Sequence, residues 1–313
     1  MNTKVSNLKV KSNMKRAIIT GATGAIGNAL IKELIANGVE TLVFCRESSI
    51  RNNSIPQSPF VTKMYCSLEE LKNFQNETGK TYDVFYHLAW ENTFGESRNV
   101  LRPQLRNIDY SLDAVEIAKR FGCHTFIGAG SQAEYGRVEG LLKPETPTFP
   151  ENGYGIAKLC AGQMTKIRAS QLGLKHVWVR ILSVYGINDG ARTMVMSTIS
   201  KLKEGQVAEF TKGEQMWDYL YSGDAALALY LLGKKGVDGK TYVLGGGQAR
   251  PLYEYIKIIA QCMNSENLIK LGSIPYTEKQ VMYLCADISE LTKDTGWKPK
   301  VRFEDGILKL INS

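Results

Sequence analysis

The chain has 313 residues, of which 43% are hydrophobic and 22% charged. Its length suits one large or two small domains, and its composition excludes a disordered or fibrous protein. Apolar runs stay far below the ~20 residues that cross a bilayer, and the first thirteen residues lack the apolar core of a secretory signal. We therefore expect no membrane span and a cytoplasmic location.

The net charge is +8, from 39 basic and 31 acidic residues. Because the basic residues form no long run, the charge favours an anionic small molecule over nucleic acid as the partner. Six cysteines show no zinc-knuckle or redox spacing, and three histidines lie in unrelated contexts. We expect reduced thiols and no metal.

The first half of the chain alternates strands with helices. A β-branched strand at 16–20 precedes a glycine-rich turn and an apolar helix that ends at Asn37-Gly38. Further strands are predicted at 41–44, 60–65, 83–88, 124–128 and 176–182, and further helices at 68–77, 104–121 and 154–172. Such alternation requires crossover connections, which predicts an α/β fold with a doubly wound parallel sheet.

The turn after the first strand carries three glycines, each three residues from the next. A pyrophosphate can reach the free N–H groups of a helix N-terminus only where the backbone comes close, and side chains at Gly21 and Gly24 would block it. Gly27 would allow tight packing of the helix on the strand. The turn thus predicts a dinucleotide site that includes Gly21, Thr23, Gly24, Ala25, Ile26 and Gly27.

The end of the second strand indicates which dinucleotide binds. An NAD site usually places Asp or Glu there, about 20 residues past the glycines, to bind the ribose hydroxyls. This strand ends instead at Arg46, whose guanidinium suits a 2′-phosphate, with Arg51 nearby. NADP(H) is favoured, and NAD(H) stays possible.

The alternation ends near residue 183. Helices near 193–204, 222–233, 251–263 and 303–311 predict a smaller α/β lobe against the carboxyl edge of the sheet. The predicted division is a flexible N-terminal extension at 1–14, a Rossmann domain at 15–182 and a mainly substrate-binding lobe at 183–313, with possible chain exchange between the last two.

One tyrosine–lysine pair is placed for catalysis. Tyr154 and Lys158 lie at i and i+4 on a helix that follows the 124–128 strand, and Ser131 comes just after that strand. Pairs with the same spacing occur at Tyr230 and Tyr253, so position in the fold is the evidence and spacing is not. A lysine near Tyr154 is expected to lower the pKa of the phenol from ~10 and permit proton exchange near neutrality.

Together these motifs resemble the extended short-chain dehydrogenase/reductases of the NAD-dependent epimerase/dehydratase group, which act on nucleotide sugars. The resemblance covers about residues 15–310 and rests on Thr20 to Gly27, His87-Leu88-Ala89, Asn107, Ser131 with Tyr135-Gly136, Tyr154 with Lys158, Arg180 to Gly186, Trp217 to Asp224, and Leu291 to Pro299. It implies a cytoplasmic oxidoreductase that binds a nucleotide-diphosphate sugar.

The resemblance also implies roles for individual residues. Tyr154 becomes the catalytic acid/base, Lys158 lowers its pKa and holds the nicotinamide ribose, and Ser131 binds the substrate oxygen. Asn107 would support the lysine from the preceding helix, or serve only as a cap or core residue. Further contacts are expected from Leu88 and Ala89 for the cofactor, and from Trp90, Gln132, Arg192 and Trp217 for the substrate.

Departures from the family pattern narrow the chemistry. The 4,6-dehydratases have acidic residues just after the serine, where this chain has Gln132 and Ala133, and elimination of water needs that extra acid and base. Members that epimerise beside the ketone use a cysteine at the Ala133 position. Trp217 stands where relatives often have a phosphate-binding arginine, and Ser183 replaces a usual asparagine. The sequence therefore leaves open which residues bind the diphosphate.

The favoured hypothesis is NADPH-dependent reduction of the 4-keto group of a nucleotide-linked 4-keto-6-deoxyhexose, for a bacterial surface polysaccharide. An NAD-dependent 4-epimerase is the alternative, and a non-catalytic dinucleotide-binding regulator or an RNA-binding relative is the third reading. A homodimer through helices 104–121 and 154–172 is expected, since the apolar positions Ile108, Leu112, Val115 and Ile117 exceed one buried stripe.

Overall fold

The computed structural model describes residues 14–77 and 79–313. Its strands, in chain order, are β1 (Arg16–Thr20), β2 (Glu40–Cys45), β3 (Val61–Tyr65), β4 (Val84–His87), β5 (Thr125–Ser131), β6 (Lys175–Ile181), β7 (Ser183–Tyr185), β8 (Ala208–Glu209), β9 (Met216–Trp217), β10 (Tyr219–Tyr221), β11 (Lys240–Leu244), β12 (Arg250–Pro251) and β13 (Ile269–Lys270). The α-helices are α1 (Ala25–Ala36), α2 (Leu101–Arg120), α3 (Gly153–Gln171), α4 (Met194–Lys203), α5 (Ser222–Lys235), α6 (Leu252–Cys262), α7 (Ser289–Thr295) and α8 (Phe303–Ile311).

Seven parallel strands form the central sheet in the order β11-β6-β5-β4-β1-β2-β3. Helices cover both faces. Leu30 of α1 and Leu229 of α5 belong to one buried apolar cluster, while Val115 of α2 and Ala169 of α3 belong to the other. The predicted α/β fold with a doubly wound parallel sheet is confirmed.

The seventh strand, β11, comes from beyond residue 182 and pairs with β6. It was missed from the sequence, although a β-branched run between glycines, Gly239 and Gly245, is typical of a buried strand. The segment 183–313 thus supplies both a strand and the helix α5 to the layers around the central sheet.

The helix predicted at 68–77 is wrong. Only a 3₁₀ helix, Leu71–Asn73, forms there. Leu71 and Phe74 instead pack into the core beneath α2, where the Phe74 ring lies 5.0 Å from Phe44 and 6.3 Å from Phe121 between centroids. The Arg120 side chain of α2 donates hydrogen bonds to the Lys72 and Phe74 carbonyls. These carbonyls therefore have partners without a helix in this segment.

The predicted N-terminal extension lies outside the described residues except for Met14. That residue is buried, and its sulfur accepts a hydrogen bond from the Tyr86 hydroxyl at 3.7 Å. The remaining boundaries of the predicted domains stay predictions.

The carboxyl ends of the central strands meet at one edge because the strands are parallel and in register. Thr20 of β1 pairs with His87 of β4, His87 pairs with Gly128 of β5, and Ser131 at the end of β5 pairs with Ile181 of β6. A third apolar cluster, which includes Ile199 of α4 and Ile307 of α8, forms the core of the C-terminal part.

Candidate active site

The turn between β1 and α1 is shaped by two of its glycines. Gly21 has a φ of +78°, and a Cβ there would lie 2.6 Å from the Ala89 nitrogen. A Cβ at Gly27 would collide with the Gly21 carbonyl oxygen. Gly21 therefore permits packing on the chain after β4, and Gly27 permits packing on the turn itself rather than on the strand.

Gly24 leaves room for a ligand. A Cβ there would meet no described atom closer than the Gly21 oxygen, at 3.8 Å. Gly24 is also the N-cap of α1 and gives no side-chain cap, so the N–H groups of the first helical turn stay available to a phosphate.

A cleft of about 820 Å³ opens over the ends of β1 to β4, within the range of cofactor sites. Four predicted cofactor residues are not among its lining residues, namely Ala25, Ile26, Gly27 and Lys158. The predicted residues that do line it are Gly21, Thr23, Gly24, Arg46, Leu88, Ala89 and Trp90. The buried Asn52 Oδ1 at the same cleft has no partner among the described residues, so it offers an acceptor. This donor and acceptor set fits a dinucleotide.

Two arginines lie at the end of β2. Arg46 is exposed and lines the cleft. Arg51 donates to the carbonyl oxygens of Thr23 at 2.8 Å and Asn188 at 3.1 Å, which ties the glycine turn to the loop after β7. Glu47 is exposed and is not among the lining residues. This end of the cleft therefore carries two arginines, together with Glu69 from the loop after β3.

A buried polar network fixes the chain after β4. Thr20 Oγ1 lies 2.9 Å from His87 Nδ1, and His87 Nε2 lies 3.2 Å from Ser111 Oγ. Burial lowers the pKa of His87 to about 3, so the ring is neutral. Asn107 accepts from the Glu91 N–H and donates to the Glu91 carbonyl, both at 3.0 Å. Asn107 thus holds the loop that presents Trp90, rather than supporting Lys158 directly.

Tyr154 and Ser131 meet where α3 begins beside the end of β5. The Asn152 side chain caps α3 by accepting from the Gly155 N–H at 2.8 Å, which fixes Tyr154 in the first turn. Burial raises the pKa of Tyr154, and the nearby Ser131 side chain and the Arg98 charge offset only part of that effect.

Lys158 lies differently from the expectation that it lowers the pKa of Tyr154. Its ammonium donates to the Ala129 carbonyl at 2.6 Å and lies 3.7 Å above the Trp90 ring, while the Tyr154 ring centre is 5.8 Å away. Burial lowers the pKa of Lys158 itself to about 7. In this structure the expected lowering of the Tyr154 pKa by Lys158 is absent, because the lysine is desolvated and turned to Trp90.

Arg98 is the cation that faces Tyr154. It lies in the 3₁₀ helix Gly95–Asn99, and its guanidinium carbon is 4.5 Å from the centre of the Tyr154 ring. The sequence around Arg98 does not predict an active-site residue, because only the docking of this short helix on α3 brings Arg98 to the site. The Gly153 N–H donates to the Asn99 side chain at 3.1 Å, which secures that docking.

Glu134 is a second residue that the sequence reasoning did not single out. Its fully buried carboxylate accepts from the Ser131 N–H at 2.8 Å, from Trp178 Nε1 at 3.0 Å and from Arg180 Nε at 2.7 Å. Ser131 and Glu134 form a capping box at the 3₁₀ helix Gln132–Glu134. Glu134 thus supports Ser131 from within the protein core, and its position three residues after a serine is the signal that predicts such a box.

The predicted substrate residues separate into two groups. Gln132 lines a second cavity of about 90 Å³ beside Ala133, and Trp90 lies in the main cleft with its ring centre 6.1 Å from that of Tyr154. Arg192 is exposed, and Trp217 donates to Ser183 Oγ at 2.8 Å. Neither Arg192 nor Trp217 lines these two cavities, so their predicted roles remain untested.

Over residues 14–77 and 79–313, no group of three or more His, Cys, Asp or Glu side chains is placed to hold a metal ion. Within the same ranges, no helix has the length and apolar character needed to cross a bilayer.

A glycine turn at a helix N-terminus, a large cleft at the carboxyl edge of a parallel sheet and an adjacent Ser131–Tyr154 pair define a dinucleotide-dependent enzyme. A family model described as the NAD dependent epimerase/dehydratase family matches residues 17–245. The chain belongs to this family, and it is an enzyme of the extended short-chain dehydrogenase/reductase type that uses an NAD(P) cofactor.

Individual relatives are distant but cover nearly the whole chain. A dTDP-4-dehydro-6-deoxyglucose reductase from Escherichia coli is 24% identical over 95% of this chain and 96% of its own. A dTDP-glucose 4,6-dehydratase from Haemophilus influenzae is 23% identical, covering 95% of this chain and 97% of its own. The fold matches a UDP-N-acetylglucosamine 4-epimerase from Methanobrevibacter ruminantium M1, solved with UDP-N-acetylmuramic acid, with a TM-score of 0.85, 22% identity and coverage of 96% and 97%.

Proposed function

We propose that this chain is a cytoplasmic reductase that uses NADPH to reduce the 4-keto group of a nucleotide-linked 4-keto-6-deoxyhexose in the synthesis of surface polysaccharide precursors. It modifies a nucleotide sugar, as its family does. A relative named for reduction of a 4-dehydro-6-deoxy sugar supports the choice of reaction.

The observation that carries this proposal is that the carboxylate nearest to Ser131 in the chain is buried in the protein core. Gln132 and Ala133 have no acidic group, and Glu134 is fully buried and bound to Arg180 and Trp178. No carboxylate of this segment is therefore free to remove or add a proton at a carbon beside the ketone. Ser131 and Tyr154 remain, and they suffice for reduction at a single carbon.

Each residue then has a defined task. Ser131 donates a hydrogen bond to the carbonyl oxygen of the sugar, and Tyr154 protonates that oxygen. Because burial raises the pKa of Tyr154, the phenol keeps its proton at neutral pH, which is the form that reduction requires. NADPH, when bound, supplies the hydride.

The two positively charged groups at the β2 end of the cleft support NADP(H) as the cofactor. Arg46 lines the cleft and its guanidinium fork suits a 2′-phosphate, while Glu47 is not among the lining residues. Of the predicted cofactor residues, Gly24 and Thr23 would lie at the pyrophosphate, and Lys158 has ammonium protons left to bind ribose hydroxyls beyond its bond to Ala129.

The test supplies dTDP-, CDP- and GDP-linked 4-keto-6-deoxyhexoses with NADPH or NADH and follows the nicotinamide absorbance. Oxidation of NADPH with at least one sugar is the expected result. If no sugar causes oxidation and the protein interconverts a UDP-hexose with bound NAD, the epimerase replaces the reductase.

The 4-epimerase is the second candidate, because the same Ser131–Tyr154 pair serves oxidation and re-reduction, and a solved epimerase shares the fold.

We also propose a homodimer through α2 and α3. Of the positions singled out from the sequence, Ile108, Val115 and Ile117 are buried in the chain's own core, and Leu112 is half-buried. Other apolar side chains on these helices are exposed, namely Leu101, Leu105, Ile156, Met164 and Ile167. Sedimentation should give a dimer mass that Leu105→Glu with Ile167→Glu converts to a monomer, and a wild-type monomer at all concentrations would refute the dimer.

A further inference from the structure

The Trp90 ring lies against both members of the tyrosine–lysine pair. Trp90 comes from the loop after β4 and lines the main cleft. The centres of the Trp90 and Tyr154 rings are 6.1 Å apart and their planes cross at 87°, while the Lys158 ammonium lies 3.7 Å from the centre of the Trp90 ring. Trp90 thus contacts both residues from a segment separate from α3, which carries them.

The Lys158 ammonium has little access to water. Lys158 is 4% exposed, and its ammonium donates to the Ala129 carbonyl at 2.6 Å. The face of an indole ring attracts a cation more strongly than the other aromatic side chains do, and the attraction is greatest where water is excluded. The buried ammonium is therefore held against the Trp90 ring.

The Trp90 ring is itself fixed from outside the cleft. Its indole N–H donates to Gln104 Oε1 at 2.9 Å, and the Gln104 amide donates to the Asn92 carbonyl at 2.9 Å. Gln104 lies on α2, is 2% exposed and is not among the residues that line the cleft. Because both ends of the Gln104 amide are hydrogen-bonded, α2 sets the direction of the indole ring.

The charged and titratable groups around Lys158 come from several elements. Glu134 attracts the ammonium, but its carboxylate already accepts from three donors of the protein core. His87 of β4 is neutral, since burial lowers the pKa of His87 to about 3. Tyr154 is a protonated phenol whose pKa burial raises, and Arg98 lies over its ring. Trp90 therefore supplies the contact that is free to respond to the charge of the lysine.

We propose that Trp90 is a positioning residue, which holds the Lys158 ammonium over its ring and thereby favours the charged form of the lysine. Gln104 acts through Trp90, by holding the indole ring in place. The role expected from the sequence, a contact to the substrate, predicts instead that Trp90 affects only the binding of the sugar. The two roles can be separated, because the proton on Lys158 can be followed without any ligand.

A fluorescence titration of the ligand-free protein tests the proposal. Burial lowers the pKa of Lys158 to about 7, and indole emission responds to a charge at contact distance, so the emission of wild type should change between about pH 6 and 8. Trp90→Phe and Lys158→Met should each remove this transition. A wild type without the transition, or a transition that persists in either variant, would overturn the proposal.

Trp217→Phe is the matched control for the titration. Trp217 is also half-buried, and its indole N–H is also bonded to a side chain, at 2.8 Å from Ser183 Oγ. The transition should persist in this variant. Its loss in Trp217→Phe would assign the signal to the wrong tryptophan and contradict the proposal.

Gln104→Leu keeps the Trp90 ring but removes the acceptor of its N–H. The transition should remain and move to lower pH, by up to about one pH unit, because a loosened ring stabilises the charged lysine less. A transition at the wild-type pH would contradict the part of the proposal that concerns Gln104.

The kinetic consequence rests on the proposed function. With NADPH and a keto-sugar, the pH at which kcat/KM falls as Lys158 loses its charge should move down by about one pH unit in Trp90→Leu. Trp90→Phe, which keeps a weaker ring face, should lie between Trp90→Leu and wild type. Tyr253→Leu removes a ring from beneath the exposed Lys257 and should leave the profile unchanged.

Two other results have distinct meanings. A raised KM for the sugar with an unmoved pH profile in Trp90→Leu would reduce Trp90 to a substrate contact and overturn the inference. Failure of the proposed function gives no oxidation of NADPH by wild type with any keto-sugar, and the ligand-free titration then decides the inference alone.

Discussion

The large cleft over β1 to β4 and the small cavity beside Gln132 are built in different ways. The cleft measures about 820 Å³ and is lined by turns that directly follow β1 to β4. The cavity measures about 90 Å³ and combines Arg98, the turn after β5 and residues 281–284. The cleft can hold a whole dinucleotide, whereas the cavity can hold one chemical group. The larger space thus lies over consecutive strand ends, whereas the smaller one depends on segments that are far apart in the chain.

The largest expected effect is at the junction of the two regions. Tyr154→Phe removes the transferable proton but keeps the ring against Arg98 and Trp90, so turnover should fall ~10²–10⁴-fold while dinucleotide binding is retained. Steady-state kinetics with fluorescence titration of NADPH provides the measurement.

Tyr230→Phe is the matched control for that change, since Lys234 lies four residues on and its ammonium is 3.4 Å from the Tyr230 hydroxyl. It should turn over normally. Loss of turnover in Tyr230→Phe together with retained turnover in Tyr154→Phe would show that Tyr154 is not the catalytic tyrosine.

A second change tests whether the substrate side depends on its buried support. Glu134→Ala leaves Arg180 buried without its carboxylate and frees the Ser131 N–H, so the free energy of unfolding should fall by about 3–5 kcal/mol. Urea unfolding measures this change. Asp305→Ala breaks the exposed pair with Arg302 and should lower the free energy of unfolding far less than Glu134→Ala does. Equal losses in the two variants would show that Glu134 is not a support.

A third change tests the cofactor side alone. Arg46→Glu should shift the preference from NADPH toward NADH by about 10- to 100-fold, because a charged hydrogen bond of about 1.5–3 kcal/mol is lost and repulsion is added. Substrate KM should stay the same, since Arg46 lies in the cleft and not in the cavity. Lys32→Glu, an exposed charge reversal on α1, is the control. An unchanged preference in Arg46→Glu would show that Arg46 plays no part in the choice between NADPH and NADH.

The smallest effect concerns pH and the network after β4. The pKa of His87 is about 3 in the folded chain and ~6.5 when unfolded, so the unfolded state binds the proton first and stability is lost as pH falls below ~6.5. Between pH 7 and 5.5 the loss from this group is about 1 kcal/mol. His87→Gln should flatten the decline seen by urea unfolding more than His124→Gln does, because His124 is half exposed and Asp83 offsets part of the effect of burial on its pKa. A decline as steep in His87→Gln as in wild type would remove His87 as its source.

The glycine turn was predictable because its residues are consecutive and their task is local. Arg46, Leu88 and Ala89 were predictable for the same reason, since each directly follows a strand. Arg98 was not, because its place at Tyr154 depends on how a short 3₁₀ helix docks on α3. Lys158 was expected beside the Tyr154 phenol, yet its ammonium lies over the ring of Trp90, on another segment. Helical spacing brings two residues to one face, but it does not decide which partner a long, flexible side chain selects.

The same reasoning explains the two errors in the fold. The segment 68–77 has enough apolar residues for a helix, but Leu71 and Phe74 pack into the core without forming one. The strand β11 is a short apolar run whose partner, β6, lies far back in the chain. The local sequence of such a strand does not show whether it joins the central sheet, because its partner lies so far away in the chain.

The position of β11 at the edge of the sheet has a consequence for synthesis. When β6 leaves the ribosome, its free edge displays unpaired N–H and C=O groups beside Val177 and Val179, and it stays so until residues 240–244 have been added. Open edges of apolar strands are sites of aggregation, and parallel pairing across a long loop is slow. The half-made chain is therefore the vulnerable species, and a fragment that stops at residue 182 is expected to aggregate rather than fold as an independent unit.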